Sequence, residues 1–154
     1  MRKKFNHIYY KKYIGVFFIS ILMNLYSYEL FALPIKTTIF NNKNQEIGLA
    51  MVYIDYVELQ EIDGTPKGRL GFVNIKGNFQ MFIVNDDGQQ NLVGSAKNRH
   101  LYDNKGTLIG HYDWTTFWSY VYSPRGEKLG KAKCIAFRGI CAAGIASFLT
   151  GLLD

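Results

Sequence analysis

A stretch in the second half of the chain, HYDWTTFWSYVY at residues 111–122, carries side chains that are suited to holding a sugar. If it forms a β-hairpin that turns at its two threonines, Asp113 pairs with Trp118 and His111 with Tyr120, and all four lie on one face. Aromatic rings stack on a pyranose, and His and Asp side chains hydrogen-bond its hydroxyl groups. We therefore predict that His111, Asp113, Trp118 and Tyr120 bind a ligand, with a glycan as the leading class.

The same hairpin has a plainer interpretation. Its opposite face carries Tyr112, Trp114, Phe117 and Val121, so Trp114 and Phe117 are expected in the hydrophobic core. The face with His111 is then an ordinary amphipathic surface whose polar tips lie in water. The sequence leaves both interpretations open.

Catalysis has little support in the sequence. No serine lies in a G-x-S-x-G elbow, and no pair of carboxylates stands out as a glycosidase would need. No Gly-rich loop follows a strand and opens a helix as a phosphate-binding loop does. Two cysteines are too few for a typical zinc site, which uses four ligands. We therefore expect a protein that is not an enzyme and holds no cofactor and no metal.

The basic residues are concentrated at the N-terminus. Of the net charge of +6, residues 1–33 supply five basic and one acidic residue, hence +4. Residues 34–154 hold 13 basic and 11 acidic residues, with no basic run among them. A phosphate-binding surface needs clustered Lys and Arg. A nucleic-acid partner is therefore not expected.

The N-terminal segment has the pattern of a secretory signal peptide. A basic start, MRKKFNHIYYKKY, precedes the uncharged apolar run IGVFFISILM and then a more polar stretch that ends in small residues. We predict a signal peptide over residues 1–32, cleaved after Ala32 or after Ser27. The alternative is an uncleaved N-terminal anchor, although the apolar run is shorter than the span of about 20 residues that a bilayer needs.

Short strands and tight turns are indicated for the rest of the chain. Aromatic residues make up 16% of the sequence, which has 15 Gly and only 3 Pro, and this composition favours an all-β fold. LYDNKGTLIGHY (101–112) and VYSPRGEKLGKA (121–132) share an aromatic residue, a turn with Gly and an aliphatic-Gly pair. Weaker copies bring the total to five, with starts at residues 40, 60, 84, 102 and 122. Each copy predicts a β-hairpin, because Asn, Asp and Gly reach the backbone angles of a tight reversal.

The repeated Y-D-x-x-G-x-x-I-G signature behind a signal peptide resembles the five-fold β-flower proteins, secreted hairpin-repeat proteins mostly of Bacteroidetes. The resemblance covers about residues 39–154 and is weakest at residues 60–68. It implies five repeated β-hairpins in a radial or closed array. It implies no catalytic residue, because the family is defined by its fold.

The C-terminal segment changes to a helical pattern. Small residues recur every four positions, at Gly139, Ala143, Ser147 and Gly151, and large apolar residues cover the rest of the circumference. This pattern predicts an apolar helix over residues 139–153. The helix either inserts into a membrane or associates with a partner, or it is buried and plugs the hairpin array. Its length of about 22 Å at 1.5 Å per residue is short of a bilayer core of about 30 Å.

Cys134 and Cys141 are the only two cysteines of the chain. Secretion permits a disulfide, and a hairpin over residues 134–141 would place the two side chains opposite each other. If Cys141 belongs to the helix, the pairing is not assured. The sequence leaves the disulfide open.

These features predict a secreted or periplasmic all-β domain over residues 33–154 that acts as a non-enzymatic binding module. Its partner is a glycan or another component of the cell envelope. The alternative is a structural or assembly protein that uses its C-terminal helix for membrane association or oligomerisation. The oligomeric state stays open.

Overall fold

The computed structural model of the protein describes residues 33–76, 78–85 and 87–154. Residues Pro34–Asp154 form one compact unit, and the strands and the helix of the described residues belong to it. The predicted signal peptide, residues 1–32, lies outside the described residues, and so does the alternative of an uncleaved anchor.

Among the described residues, ten antiparallel strands form one closed barrel. In chain order the strands are β1 (Ile35–Asn41), β2 (Glu46–Val52), β3 (Tyr56–Glu61), β4 (Pro66–Ile75), β5 (Asn78–Val84), β6 (Gln90–Lys97), β7 (His100–Asp103), β8 (Leu108–Trp114), β9 (Trp118–Tyr122) and β10 (Lys128–Lys133). Each strand pairs with the next along the chain, and pairing of β1 with β10 closes the barrel. One helix, α1 (Arg138–Leu149), follows β10. The prediction of an all-β fold with a C-terminal helix is confirmed.

The alternation of side chains along each strand gives the barrel an inner and an outer face. In β10, Gly130 and Ala132 are buried, whereas Lys131 and Lys133 stay accessible on the outside. The burial pattern of β2 alternates in the same way. The buried positions of these two strands hold only small or aliphatic residues, as expected for strands with one face on a core.

The helix α1 lies inside this barrel. Seven consecutive residues, 141–147, are buried, so every side of the helix faces protein. At Gly144 a Cβ atom would be only 3.0 Å from Cγ2 of Val57 in the wall. The hydroxyl of Ser147 donates to the carbonyl of Ala143 at 2.8 Å, which satisfies this buried polar group within the helix. The helix therefore fills the interior of the barrel.

The helix is shorter than the sequence predicts. It ends at Leu149, so the prediction of a helix that runs to residue 153 is wrong. Gly151 has a positive φ of 70°, the N–H of Leu152 donates to the carbonyl of Ser147 at 3.0 Å, and the N–H of Gly151 donates to that of Phe148 at 3.4 Å. This is a Schellman motif, in which a left-handed glycine ends the helix and satisfies its last carbonyls.

Cys134 and Cys141 form a disulfide. Cys141 belongs to the first turn of α1, and Cys134 follows the last residue of β10. Phe137, at the N-cap of the helix, has a left-handed backbone with φ 45°, and it reverses the chain between them. The disulfide therefore joins the wall of the barrel to the start of the helix inside it.

Five of the turns in the described part of the chain share one backbone geometry. In each, the N–H of the first residue donates to the carbonyl four residues later, and the N–H of the fourth residue donates back to the first carbonyl. The fourth residue always has a positive φ, and the strand pair that each turn joins contains a β-bulge. The first residues of these turns are Asn41, Glu61, Asn85, Asp103 and Ser123.

Inward-facing glycines make room for the large side chains at the end of the helix. At Gly48 a Cβ atom would lie 2.6 Å from Cζ of Phe148 and 2.7 Å from the carbonyl oxygen of Gln60 in the next strand. At Gly110 it would lie 2.8 Å from Cγ2 of Thr150. Such contacts are well inside van der Waals distance, so the wall has no space for a side chain here.

Replacing Gly48 with alanine is therefore expected to destabilise the protein by about 1–2 kcal/mol, because overpacking forces side chains or backbone to shift. Gly71→Ala is the matched control: this glycine is also in a strand, but its Cβ would meet only Cγ2 of Val84 at 3.3 Å and the carbonyl of Phe82 at 3.9 Å. The free energies of unfolding in urea measure the difference. Equal values for the two variants would contradict the packing described here.

Candidate functional site

The predicted site residues lie on the outer face of β8 and β9, but the register of this hairpin differs from the predicted one. Asp113 is opposite Tyr120, and His111 is opposite Tyr122. The predicted pairs, Asp113 with Trp118 and His111 with Tyr120, are therefore wrong by two residues. A shift of two residues keeps every side chain on its face, so alternation alone does not distinguish the two registers.

The turn of this hairpin explains the difference. The N–H of Thr115 donates to the carbonyl of Trp118 at 2.9 Å, so the loop residues are Thr116 and Phe117 rather than the two threonines. Phe117 is consequently 54% exposed. Its predicted place in the core is wrong, whereas Trp114 is half-buried and packs against the core.

Trp118 and Tyr120 belong to a group of aromatic and lysine side chains that spans three strands. The ammonium of Lys131 lies 4.9 Å from the centre of the Trp118 ring, and the ammonium of Lys128 lies 4.6 Å from that of Tyr120. The Phe40 ring meets Trp118 edge-on, with 6.1 Å between the ring centres. We call these five residues, Phe40, Trp118, Tyr120, Lys128 and Lys131, the aromatic–lysine cluster.

Closure of the barrel assembles this cluster. Lys131 of β10 is opposite Tyr120 on one side and opposite Phe40 on the other. Phe40 and Trp118 are far apart in sequence, and they become neighbours only because the first strand pairs with the last. The site is thus a product of the fold rather than of the hairpin alone.

His111 lies apart from Trp118. Its ring stacks on that of Tyr122 with 5.0 Å between the centres, and the ring of His100 is 5.8 Å away. Tyr122 is four residues further along β9 than Trp118, which corresponds to about 13 Å. The structure therefore does not bring all four predicted residues into one cluster.

Asp113 is engaged by its neighbours. Its carboxylate forms an ion pair with Arg99 and also accepts the N–H of Trp114 at 2.8 Å. The Arg99 guanidinium lies 4.4 Å from the centre of the Trp114 ring. The Arg99 and Asp113 side chains are 50% and 61% exposed, so this ion pair contributes less than about 1 kcal/mol.

A groove runs beside the cluster on the seam between β1 and β10. Its volume is about 380 Å³, and Trp118 and Phe40 line it together with Lys36 and Lys133. The remaining lining residues are Ile35, Thr37, Thr38 and Ile135. Trp118 therefore belongs to both the cluster and the groove, and a ligand in the groove would contact its ring.

The sequence did not predict the other residues of this surface, which are Phe40, Lys36, Lys128, Lys131 and Lys133. One signal was present: Lys131 and Lys133 alternate with the small residues on either side of them, which predicts two cations on the outer face of one strand. The proximity of Phe40 carried no signal, because it depends on barrel closure.

The inner face next to the site holds a tyrosine with a perturbed pKa. Tyr112 is only 4% exposed, and this burial raises its pKa to about 12, while the Arg99 charge acts in the opposite direction. Burial disfavours the phenolate, since a charged group loses hydration there.

The raised pKa of Tyr112 predicts loss of stability at high pH. The neutral phenol stabilises the fold fully below pH 10, where an unfolded tyrosine is also neutral, and this contribution is lost as the pH rises from 10 to about 12. Urea unfolding between pH 9 and pH 11.5 measures it. Tyr112→Phe is expected to lose stability less steeply over this range, and an identical pH dependence in both proteins would contradict the burial of the phenol.

Among the residues that the structure describes, no three His, Cys, Asp or Glu side chains are placed to hold a metal ion. No helix in that part of the chain has the length and apolar character needed to cross a bilayer.

No protein-family model, curated protein or solved structure matches this chain. In the part of the chain that the structure describes, the protein is a closed antiparallel barrel of ten strands with one C-terminal helix. The resemblance to the five-fold β-flower proteins stays a prediction.

Proposed function

We propose that this chain is a non-enzymatic glycan-binding module in which Trp118 is the centre of the binding surface. The observation that supports this most directly is the aromatic–lysine cluster, where Trp118, Phe40 and Lys131 meet on the outer wall of the barrel. Aromatic rings stack on the apolar face of a pyranose, and neighbouring cations hydrogen-bond its oxygen atoms. An accessible group of this kind fits a sugar ligand.

The position of α1 favours the outer wall as the place of binding. Many barrels hold a ligand in the interior, but here residues 141–147 of the helix are buried inside it. A ligand therefore meets outward side chains and the groove on the seam between β1 and β10.

We also propose that the protein acts outside the cytoplasm, secreted or in the periplasm. The signal-peptide pattern of residues 1–32 supports this location. The disulfide between Cys134 and Cys141 supports it further, because disulfides persist mainly in oxidising compartments. Sugars of the cell envelope are accessible there.

The barrel is, in this proposal, an array of five repeated β-hairpins related to the β-flower proteins. The support is the recurrence of one turn geometry at five places, each within a strand pair that contains a β-bulge. The predicted repeat starts, at residues 40, 60, 84, 102 and 122, lie one residue before these turns.

The alternative function, assembly through the C-terminal helix, receives less support. Residues 141–147 are buried inside the barrel, so they do not reach a membrane or a partner while the barrel is closed. The accessible cluster around Trp118 requires no such opening, and we therefore favour glycan binding.

A glycan array probed with the purified protein tests the proposal. We expect binding to at least one glycan class, and Trp118→Ala is expected to weaken that binding by at least tenfold, because a central aromatic anchor dominates an interface. Tyr56→Ala is the matched control, since Tyr56 is a half-buried aromatic on β3 that stacks on Tyr53 outside the cluster. An unchanged affinity of the Trp118 variant, or no binding to any glycan, would overturn the proposal.

The His111→Ala variant separates the two parts of the predicted site. His111 stacks on Tyr122 outside the aromatic–lysine cluster. Its removal is expected to change the affinity less than the Trp118 substitution does. An equal loss in both variants would extend the binding surface along the whole outer face of β8 and β9.

A further inference from the structure

We infer that the glycan recognised at Trp118 is acidic, and that Lys36 and Lys133 bind its carboxylate or sulfate group in the groove beside the ring. This inference rests on the proposed function and adds the class of ligand to it. The two lysines line the same groove of about 380 Å³ as Trp118 and Phe40. A pyranose stacked on these rings would thus place its anionic substituent in the same groove as the ammonium groups of Lys36 and Lys133.

The charges of this surface are unbalanced. In the described part of the chain the ion pairs of basic side chains involve Lys67, Arg69 and Arg99. The four lysines of the seam, Lys36, Lys128, Lys131 and Lys133, take part in none of these pairs. They lie on one side of the barrel although the domain from residue 34 onward has a net charge of only +2.

The acidic residues nearby do not neutralise the groove. Asp113 is held by Arg99. Glu46 is opposite Phe40 in β2, at the end of the cluster away from Lys133. Within the lining of the groove itself the charged residues are two lysines and no carboxylate. An anionic ligand therefore meets unopposed positive charge there.

The backbone ladder between β1 and β10 ends beside the groove. The pairing of β1 with β10 covers Ile39, Phe40 and Asn41. Before Ile39, the ladder gives way to a side-chain contact in which the Thr37 hydroxyl donates to the carbonyl of Lys133 at 2.8 Å. Lys36 of β1 and Lys133 of β10 are both exposed, and both line the groove. The groove is therefore a feature of the fold itself.

An acidic glycan fits this arrangement better than a nucleic acid. A nucleic acid requires a continuous track of cations along its backbone, whereas this groove offers two lysines next to an aromatic pair. Uronic acids and sulfated sugars combine a stacking face with one anionic group per ring. Their shared chemistry, an anionic group on a pyranose, is what the groove selects.

Calorimetric titration with matched oligosaccharides tests the inference. The probes are a galacturonate hexasaccharide, its fully methyl-esterified neutral form, a sulfated galactose hexasaccharide and a single-stranded DNA of equal charge. We expect at least one acidic sugar to bind at least tenfold more tightly than the neutral form at low salt, and this preference to shrink as salt rises, because the lysines are exposed. The carboxylated and sulfated probes distinguish the two sources of negative charge.

Two pairs of substitutions locate the preference. Lys36→Gln with Lys133→Gln is expected to abolish the preference for the acidic sugar, because it weakens the binding of the acidic form far more than that of the neutral form. Lys43→Gln with Lys105→Gln removes the same charge from two exposed turn positions and is expected to leave the preference intact. Trp118→Ala is expected to weaken the binding of acidic and neutral sugars alike.

The outcomes separate the two proposals. Equal affinity for acidic and neutral sugars, with loss in the Trp118 variant, overturns the acidic ligand but leaves glycan binding in place. No binding of any sugar, here or on the array, overturns both. Binding of DNA as tight as that of the acidic sugars, unchanged by Trp118→Ala, also overturns the inference, because charge alone would then explain it.

Discussion

Replacing Ala143 with aspartate is expected to unfold the protein. Ala143 is fully buried in the middle of α1, and the wall of the barrel surrounds the helix at this level. A carboxylate there loses its hydration without gaining a partner, which costs several kcal/mol. The whole free energy of unfolding of a domain is typically about 5–15 kcal/mol. The substitution therefore removes most or all of the stability.

Circular dichroism and thermal unfolding measure this effect. Loss of the near-ultraviolet signal from the aromatic residues, together with loss of a cooperative transition, is expected for Ala143→Asp. Arg138→Asp is the control on the same helix, because Arg138 is exposed at its first position and an acidic residue at a helix N-terminus is favourable. We expect this control to change stability by less than about 1 kcal/mol.

The result also bears on the alternative function. A stable, cooperatively folded Ala143→Asp protein would mean that the helix does not need to lie inside the barrel. Association of α1 with a membrane or a partner would then become the better explanation of its small-residue pattern. Unfolding of this variant, with a normal Arg138→Asp protein, supports the buried helix.

The sequence predicted those parts of the fold that depend on local chemistry. Turn residues such as Gly106 and Gly126 mark reversals because they adopt positive φ at low cost, and the strands between them alternate in polarity. The helix was also predicted, since its apolar residues occur at helical spacing. The predicted end of the helix is wrong by four residues because Gly151 fits the spacing of the small-residue face but forms the C-terminal cap.

Other parts depend on contacts between distant residues, which periodicity does not reveal. The sequence pattern predicts a helix without a polar face, and such a helix is buried either in protein or in lipid. The pattern alone therefore leaves both environments open. The β8–β9 register was undetermined for a related reason: two registers that differ by two residues put the same side chains inside.

The candidate site also combines residues that local sequence patterns predict with residues that only long-range contacts bring together. Trp118 and Tyr120 were placed correctly on the outer face by alternation along one strand. Phe40 and Lys131 joined them only through the pairing of β1 with β10, which links the two ends of the domain. Sequence reasoning that treats each hairpin separately finds half of such a site and misses the half that lies across the closure.

Removing the disulfide is expected to lower the free energy of unfolding by about 2–3 kcal/mol. Cys134 and Cys141 are seven positions apart, and closing so short a loop restricts the unfolded chain by about that amount in the chain-entropy model. Alanine at both positions avoids burying hydroxyl groups, which matters because the two residues are 2% and 1% exposed. For a domain of this size the change corresponds to a midpoint lower by about 10 °C.

Thermal unfolding of the Cys134→Ala and Cys141→Ala double variant, with and without reductant, is the measurement. The variant is expected to unfold at the lower temperature with and without reductant. The parent protein is expected to unfold at that temperature only when its disulfide is reduced. Because the disulfide joins β10 to the first turn of α1, hydrogen exchange should increase first at residues 138–141 and leave the far strands of the barrel protected. Equal midpoints for the variant and the oxidised parent would show that the barrel holds its helix without the covalent link. Packing of the helix against the wall, as at Gly144 and Val57, would then be enough to keep it inside the barrel.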